Sequence, residues 1–225
     1  MLPAMTEPVR PSTVSPDAVG PGTVGPDGRA PWLLARLAQG AIPVTAVAEV
    51  FRAVTVRAHR LHPESTSAGR SAFSSMVLVY AMTAAIVLFL LWFSRSRRNA
   101  RAISPEATLG SDAWAVVAWL IPLANFWFPR GLLLGTLRAS GSGATQASQK
   151  GRDDLLVNAW WLAWAGHGVI ALVAQSRTSL PLLVLSEALF VAAAGLAVVV
   201  IQRITALQDT ALHAVRPAVE ESPAV

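Results

Sequence analysis

A run of 22 residues without a charged side chain, residues 72–93, constrains the fold of this chain more than any other feature of its sequence. A helix of that length extends about 33 Å, which is enough to cross a hydrocarbon core of about 30 Å. Charged residues make up 14% of the chain, whereas they make up about 25% of a typical soluble domain. The sequence therefore predicts that this run spans a membrane.

Four other apolar segments accompany this run, which is segment two. Segment three has only 16 residues and is broken by Pro122, while segments four and five are each long enough to cross. The loop of about five residues between segments four and five predicts an antiparallel helical hairpin. We expect an all-α fold, a polytopic integral membrane helical bundle with either four full spans plus one short Pro-broken segment or five spans. Segments one, three, four and five cover residues 32–56, 113–128, 155–174 and 180–202.

The N-terminal stretch differs in character from these segments. It carries a proline at every fifth position from Pro11 to Pro31, with glycines between them. Each proline removes a backbone donor and each glycine adds chain entropy, so this stretch cannot propagate a helix or bury a core. We expect a disordered cytoplasmic arm over residues 1–30, a transmembrane helical domain over 31–212 and a disordered tail over 213–225.

The basic residues between the segments test whether segment three crosses the membrane. If it crosses, the loop arginines and the single lysine divide seven against nine; if it turns back, they divide twelve against four. Cytoplasmic loops carry an excess of arginine and lysine, so we expect segment three to turn back and both termini to be cytoplasmic. The predicted topology anchors directly follow segment two, where each contributes about 1 kcal/mol near an anionic leaflet. They are Arg95, Arg97, Arg98 and Arg101.

Segment three carries the most distinctive local chemistry, a broken-helix motif of Trp119, Pro122, Asn125 and Pro129. Pro122 cannot donate to the carbonyl four residues earlier, and an unpaired carbonyl in lipid costs several kcal/mol, so the Asn125 amide is expected to help satisfy the freed groups. We expect Pro129 to stop the segment and residues 130–138 to form a short interfacial helix. Two interpretations stay open: a kinked helix with a polar staple, or a discontinuous segment that lines a polar cavity, as in transporters.

Ionisable side chains within the segments are candidates for a functional site. His167 in segment four and Glu187 in segment five each lie ten residues from the same loop arginine, so an antiparallel hairpin places them at equal depth. We expect them to be partners, as a structural hydrogen bond or as a proton or ion relay, with no contact between them as the remaining alternative. Together with Asn125 they form the candidate intramembrane polar site. Glu49 and Arg52 share a helical face and either pair inside the bundle or lie at the interface.

Several stretches of the sequence resemble a known family. They are LWFSRSRRNARAI (91–103), WAVVAWLIPLANFWFP (114–129) and LLVNAWWLAWA (155–165), and the closing RITALQ (203–208) is similar as well. In order and spacing they resemble the uncharacterised bacterial membrane proteins that contain domain of unknown function 4328. The resemblance implies a polytopic fold in the bacterial cytoplasmic (inner) membrane, and it implies no known activity. The tryptophans of the third stretch also suit an aromatic belt at the headgroup boundary.

The residue patterns that carry catalysis in soluble enzymes are missing. The chain has no cysteine, which excludes disulfides, thiolate metal sites and cysteine nucleophiles. It also has no Walker-type glycine loop, nucleophile elbow or zinc-protease motif. We therefore expect no enzyme activity, no cofactor, no metal site and no nucleic-acid partner.

The function expected from these features is that of a structural or partner-binding membrane component. Its partners would be the lipid bilayer and either a second copy of the chain or another membrane protein. The alternative is a small transporter or channel component that uses the broken helix and the pair of His167 and Glu187 as its polar path.

Overall fold

The computed structural model describes residues 29–65, 67–105, 111–141, 145–177 and 179–220. These residues form six helices and no strand, which confirms the predicted all-α class. The predicted arm up to residue 28 and residues 221–225 of the predicted tail lie outside the described residues. Residues 213–220, which were also predicted to be disordered, are helical. The helices are α1 (Trp32–Leu61), α2 (Ala68–Ile103), α3 (Asp112–Leu120), α4 (Pro122–Ser140), α5 (Thr145–Arg177) and α6 (Leu180–Glu220).

Four of the helices, α1, α2, α5 and α6, are long and apolar enough to cross a membrane. Within their most apolar stretches only 17–28% of the residues are buried inside the chain, so most of these side chains are at least partly exposed. Lipid tails solvate such an apolar surface, and the helical form pairs the backbone groups within each segment. The predicted polytopic bundle is therefore confirmed for the part of the chain that the structure describes.

Contacts between helix ends show how the bundle is arranged. Asn99, near the end of α2, donates to the carbonyl of Arg29, just before α1, at 3.3 Å. Gln208 in α6 donates to the Ser96 carbonyl in α2 at 2.7 Å and to the Ser140 hydroxyl at the end of α4 at 3.0 Å. The start of α1 and the ends of α2 and α4 thus meet beside α6 at one end of the bundle, which we call the terminal end. The α1–α2 and α5–α6 connections lie at the opposite end.

The best-packed part of the bundle lies in the half near the terminal end. Trp92 and Phe93 of α2 are fully buried in one cluster with Ile201 and Ile204 of α6. The Trp92 indole nitrogen donates to the Thr205 hydroxyl at 3.0 Å. Helices in lipid gain little from the hydrophobic effect, so close packing and interhelical hydrogen bonds of this kind set their register.

Segment three is two helices rather than one. α3 ends at Leu120, Ile121 has an extended backbone with φ −85° and ψ 117°, and α4 begins at Pro122. The residue before a proline avoids the helical region, and proline itself fits the first position of a helix, so the Ile-Pro sequence accounts for the break. The Asn125 backbone N–H donates to the Ile121 carbonyl at 2.8 Å and so starts the new helix.

Pro129 does not stop the segment, so the prediction of a separate interfacial helix over residues 130–138 is wrong. α4 continues through this proline to Ser140. Pro129 is fully buried, and a proline deletes only one intrahelical hydrogen bond, which a membrane helix tolerates where neighbouring helices pack against it. The break that decides the topology is therefore the one at Pro122.

The two halves of segment three fold back on each other as a helical hairpin. The Trp114 ring in α3 contacts the Phe128 ring in α4, with centroids 5.9 Å apart. Arg138, late in α4, pairs with Asp154, early in α5, at 3.0 Å, and Ser140 lies at the terminal end. The hairpin therefore enters and leaves at the terminal end. Of the two predicted arrangements, the structure has the one with four long helices and a broken segment that turns back.

Candidate functional site

α1 carries a buried ion pair. Arg52 donates to Glu49 through Nε at 2.7 Å and also through Nη2. The two residues are three positions apart, so they share a helical face, and Glu49 is only 7% exposed. Of the two arrangements that the sequence allowed, pairing inside the bundle is the one observed. The guanidinium compensates a carboxylate that would be costly to bury alone.

The expected hydrogen bond between His167 and Glu187 is not made, so this prediction is wrong. His167 Nδ1 lies 3.0 Å from the Ser186 carbonyl oxygen and 3.1 Å from the Ser186 hydroxyl. Successive residues point about 100° apart around a helix, so Glu187 is turned away from the side chain that Ser186 meets. One buried carboxylate oxygen of Glu187, Oε2, has no hydrogen-bond partner among the described residues.

His167 and Glu187 nevertheless share a cavity with the ion pair of α1. This cavity has a volume of about 390 Å³ and lies between α1, α5 and α6. Leu61, at the end of α1, and Ser179, directly before α6, also line it, which places its mouth at the opposite end of the bundle. We call it the charged cavity; its ionisable lining residues are Glu49, Arg52, Arg57, Arg60, His167 and Glu187. No group of three or more His, Asp or Glu side chains that could hold a metal ion occurs in the described ranges.

Asn125 lines a different cavity, of about 420 Å³, which we call the aromatic cavity. The ring of Phe190, in its wall, lies 4.8 Å from the ring of His167, so this contact stands between the two cavities. The candidate site of Asn125, His167 and Glu187 is therefore divided: the structure brings the last two together and places Asn125 apart from them. The aromatic rings that line this cavity are those of Phe89, Trp119, Trp160, Trp164 and Phe190.

The tryptophans of the third motif stretch contact the hairpin of α3 and α4. Trp160 is only 6% exposed, and its ring lies 6.0 Å from that of Trp119. Trp161 donates to the Phe126 carbonyl at 2.8 Å, and the Trp164 ring lies 5.3 Å from the Phe126 ring. Hydropathy could not distinguish these roles, because an indole suits both a membrane interface and a helix contact.

The predicted topology anchors differ in their surroundings. Arg98 is exposed, Arg95 and Arg101 are half-buried, and Arg97 is only 2% exposed. Arg97 also makes interactions within the protein. This position therefore contributes to the packing of the terminal end as well as to its charge.

Sequence reasoning missed a set of polar contacts that joins α5 and α6 at the terminal end. Arg203 donates to Asp153 at 3.0 Å through Nε, and it also donates to Gln149. The signal was present in the RITALQ stretch, which contains Arg203, Thr205 and Gln208. Helical periodicity alone could not say which neighbouring helix each of these side chains meets.

Four long apolar helices and a hairpin that turns back within the bundle define a multi-pass α-helical membrane protein. A family model described as "Domain of unknown function (DUF4328)" matches residues 57–206, two thirds of the chain. The chain belongs to this family, which confirms the resemblance found in the motifs. No curated protein and no solved structure matches the chain.

The family match covers the two cavities unequally. It includes Asn125, His167 and Glu187, but it begins after Glu49 and Arg52. The ion pair of the charged cavity therefore comes from the part of α1 that precedes the matched domain.

Proposed function

We propose that this protein is a small-solute transporter or channel component of the bacterial cytoplasmic membrane, with the charged cavity as its binding site. The observation that carries the proposal is the convergence of ionisable side chains from α1, α5 and α6 onto one cavity. Such side chains are costly within a membrane and mark substrate, ion or proton sites there. Apolar packing of the same three helices would need none of them.

The distribution of charge favours a zwitterionic solute. Glu187 has a buried carboxylate oxygen with no hydrogen-bond partner in the described part of the chain, so it is suited to an ammonium group. Arg57 and Arg60 lie closer to the mouth and are suited to an anionic group. At 1.5 Å per residue, Glu187 lies about 10 Å from the start of α6 and Arg57 about 6 Å from the end of α1. This difference in depth, about 4 Å, suits a short zwitterion whose ammonium group points inward.

The distribution of basic residues supports an orientation in which the mouth of the charged cavity faces outward. Among the described residues, eleven of the arginines and lysines counted between the segments belong to chain stretches at the terminal end, and four belong to the opposite end. By the positive-inside rule, this distribution favours an orientation with both termini in the cytoplasm. A solute would reach the charged cavity from outside the cell.

Binding of three probes to the purified protein in lipid nanodiscs tests the proposal. γ-Aminobutyrate carries both charges, butyrate carries only the anionic group and butylammonium only the cationic group. We expect the two singly charged probes to bind at least about tenfold more weakly, because each lacks a charge-assisted contact worth about 1.5–3 kcal/mol. Glu187→Gln should remove the preference for γ-aminobutyrate over butyrate. The matched control Glu64→Gln, in the exposed α1–α2 connection, should keep it.

Uptake of γ-aminobutyrate into proteoliposomes then separates transport from binding. Flux that is lost in Glu187→Gln supports a transporter or channel component, whereas saturable binding without flux restricts the proposal to a solute-binding subunit. Equal binding of the three probes, or a preference that survives Glu187→Gln, contradicts it. The proposal needs no catalytic step, cofactor or nucleic acid.

One observation favours the partner-binding function as a second candidate. Gly131 and Gly135 lie one turn apart on α4, and a Cβ built on either would meet no heavy atom within 4 Å. Small residues at this spacing let a second membrane helix approach closely. Gly131→Leu and Gly135→Leu should therefore weaken self-association in detergent, measured by light scattering, without loss of helix content. The same oligomeric state in both variants contradicts this candidate.

A further inference from the structure

The aromatic cavity lies beside the tip of the hairpin of α3 and α4, where Asn125 is part of its lining. Near the tip of the hairpin, Phe126 contacts Trp164 and comes close to the Gly168 position in α5. Among the residues that the structure describes, α2 and α5 do not pack against each other, since none of their Cα atoms come within 8 Å. The space between these helices is therefore not closed by direct packing, and part of it is the aromatic cavity of about 420 Å³. This volume is within the range of small-molecule sites.

Two residues that line the aromatic cavity each carry a buried polar atom without a hydrogen-bond partner among the described residues. Trp119 Nε1, a donor, and Asn125 Oδ1, an acceptor, are both buried and have no hydrogen-bond partner in the described chain. Both residues line the aromatic cavity. The hydroxyl of Thr45, in the same wall, already donates to the Ala41 carbonyl. Most buried polar groups in proteins are hydrogen-bonded, so an unpaired donor and an unpaired acceptor on two residues that line the same cavity point to a ligand that supplies both counterparts.

We propose that the aromatic cavity binds an uncharged, lipid-soluble molecule that carries a hydroxyl group. The hydroxyl oxygen would accept from Trp119 Nε1, and its proton would be donated to Asn125 Oδ1. The described lining has no charged side chain, which disfavours an ionised ligand at this depth. Aromatic side chains, including those of Phe89 and Trp160, would pack against an apolar ring or chain.

The cavity is placed to receive such a molecule from the membrane. Ile86, on its α2 wall, is 44% exposed, so no neighbouring helix of the described chain covers this part of the wall. A lipid-soluble ligand can therefore reach the site sideways, without passing through the charged cavity. The site is independent of the proposed solute-binding function, because none of the ionisable residues of the charged cavity lines it.

A matched pair of probes, 1-naphthol and naphthalene, tests this inference. The two molecules share an apolar body, and only 1-naphthol has the hydroxyl. Equilibrium dialysis against protein-containing and empty nanodiscs of the same lipid corrects for partitioning into the bilayer. We expect 1-naphthol to bind the protein about tenfold more tightly than naphthalene, which corresponds to about 1.4 kcal/mol.

The variants assign that preference to particular atoms. Asn125→Leu and Trp119→Phe each remove one hydrogen-bonding group and should reduce the tenfold preference to about threefold or less. Trp114→Phe removes an indole N–H from an exposed residue of α3 outside the cavity and should leave the preference unchanged. Met82→Trp, on the α2 wall, should fill the space and weaken binding of both probes.

Three results would overturn the inference. The first is equal binding of 1-naphthol and naphthalene to the wild-type protein. The second is a preference for 1-naphthol that persists in both Asn125→Leu and Trp119→Phe. The third is uptake of both probes equal to that of empty nanodiscs, which would mean that water alone occupies the cavity. A cooperative thermal unfolding transition in each variant shows that it is folded. If Asn125→Leu fails to fold, Met82→Trp still tests the site, because it fills the cavity and leaves Trp119 and Asn125 in place.

Discussion

The ion pair of α1 offers a sharp energetic test because its two members differ in burial. The Arg52 side chain is 31% exposed, whereas that of Glu49 is 10% exposed. Replacing Arg52 by methionine leaves a nearly dehydrated carboxylate without its partner. Replacing Glu49 by glutamine instead leaves a guanidinium that still reaches water. We therefore expect Arg52→Met to lower the free energy of unfolding more than Glu49→Gln does.

The expected magnitudes follow from the hydrogen bonds. Loss of one partner from a buried ion pair costs about 3–5 kcal/mol, which is the range expected for Arg52→Met. Arg52 donates two hydrogen bonds to Glu49, and a glutamine retains one weaker acceptor, so Glu49→Gln should cost about 1.5–3 kcal/mol. The double variant removes both charges. It should recover at least about 2 kcal/mol relative to Arg52→Met alone, because no uncompensated charge is then buried.

Reversible unfolding in mixed micelles, titrated with sodium dodecyl sulfate and followed by circular dichroism, measures these differences. If the double variant loses as much free energy of unfolding as the two single variants together, Glu49 and Arg52 are not coupled. Equal costs below about 1 kcal/mol for the two single variants would mean that the pair behaves as a solvent-exposed one.

Three further predictions concern the terminal end. Thr205→Val leaves the Trp92 indole without its acceptor and should lower the free energy of unfolding by about 0.6–1.7 kcal/mol in the same assay. Asp153→Asn should lower the free energy of unfolding by about 1.5–3 kcal/mol, because the Asp153 side chain is only 10% exposed. Asp154→Asn should lower it by at most about 1 kcal/mol, because the Asp154 side chain is 30% exposed. Alkaline phosphatase fused after residue 143 should be inactive in cells, because we expect the α4–α5 connection to be cytoplasmic.

Each of these predictions has a contrary outcome, and the two substitutions also have a matched control. Thr83→Val removes a hydroxyl that is exposed and bonds only within its own helix, so it should change the stability by less than about 0.5 kcal/mol. Equal losses in Thr205→Val and Thr83→Val would mean that the hydrogen bond to Trp92 does not join the helices. If Asp154→Asn lowers the free energy of unfolding as much as Asp153→Asn does, burial does not set the strength of these two ion pairs. An active phosphatase after residue 143 would place this connection outside and overturn the orientation.

Much of the fold could be predicted from the sequence because membrane helices are specified locally. The run at residues 72–93 lies within α2, and segments four and five lie within α5 and α6. The break at Pro122 was also predictable, since the proline ring restricts both its own backbone and that of the preceding residue. Pro129 was predicted wrongly, because a proline inside a helix is tolerated when other helices pack around it, and the sequence does not show that packing.

The candidate site was harder to predict because it depends on helix rotation. Equal depth for His167 and Glu187 followed from counting residues, and both line the charged cavity. Ser186, one position earlier, takes the hydrogen bond because it points about 100° away from Glu187. A count along the chain gives the depth of a side chain but not the neighbour that it faces.

The sequence by itself determined that this protein is a helical membrane bundle with a proline-broken segment. The physical reason is that hydropathy, helix length and proline geometry act within one stretch of chain. Only the tertiary structure decided that Glu49 and Arg52 join His167 and Glu187 in one cavity while Asn125 belongs to another. Those groupings arise from the rotation and packing of α1, α5 and α6 against one another, which involve residues far apart in the sequence.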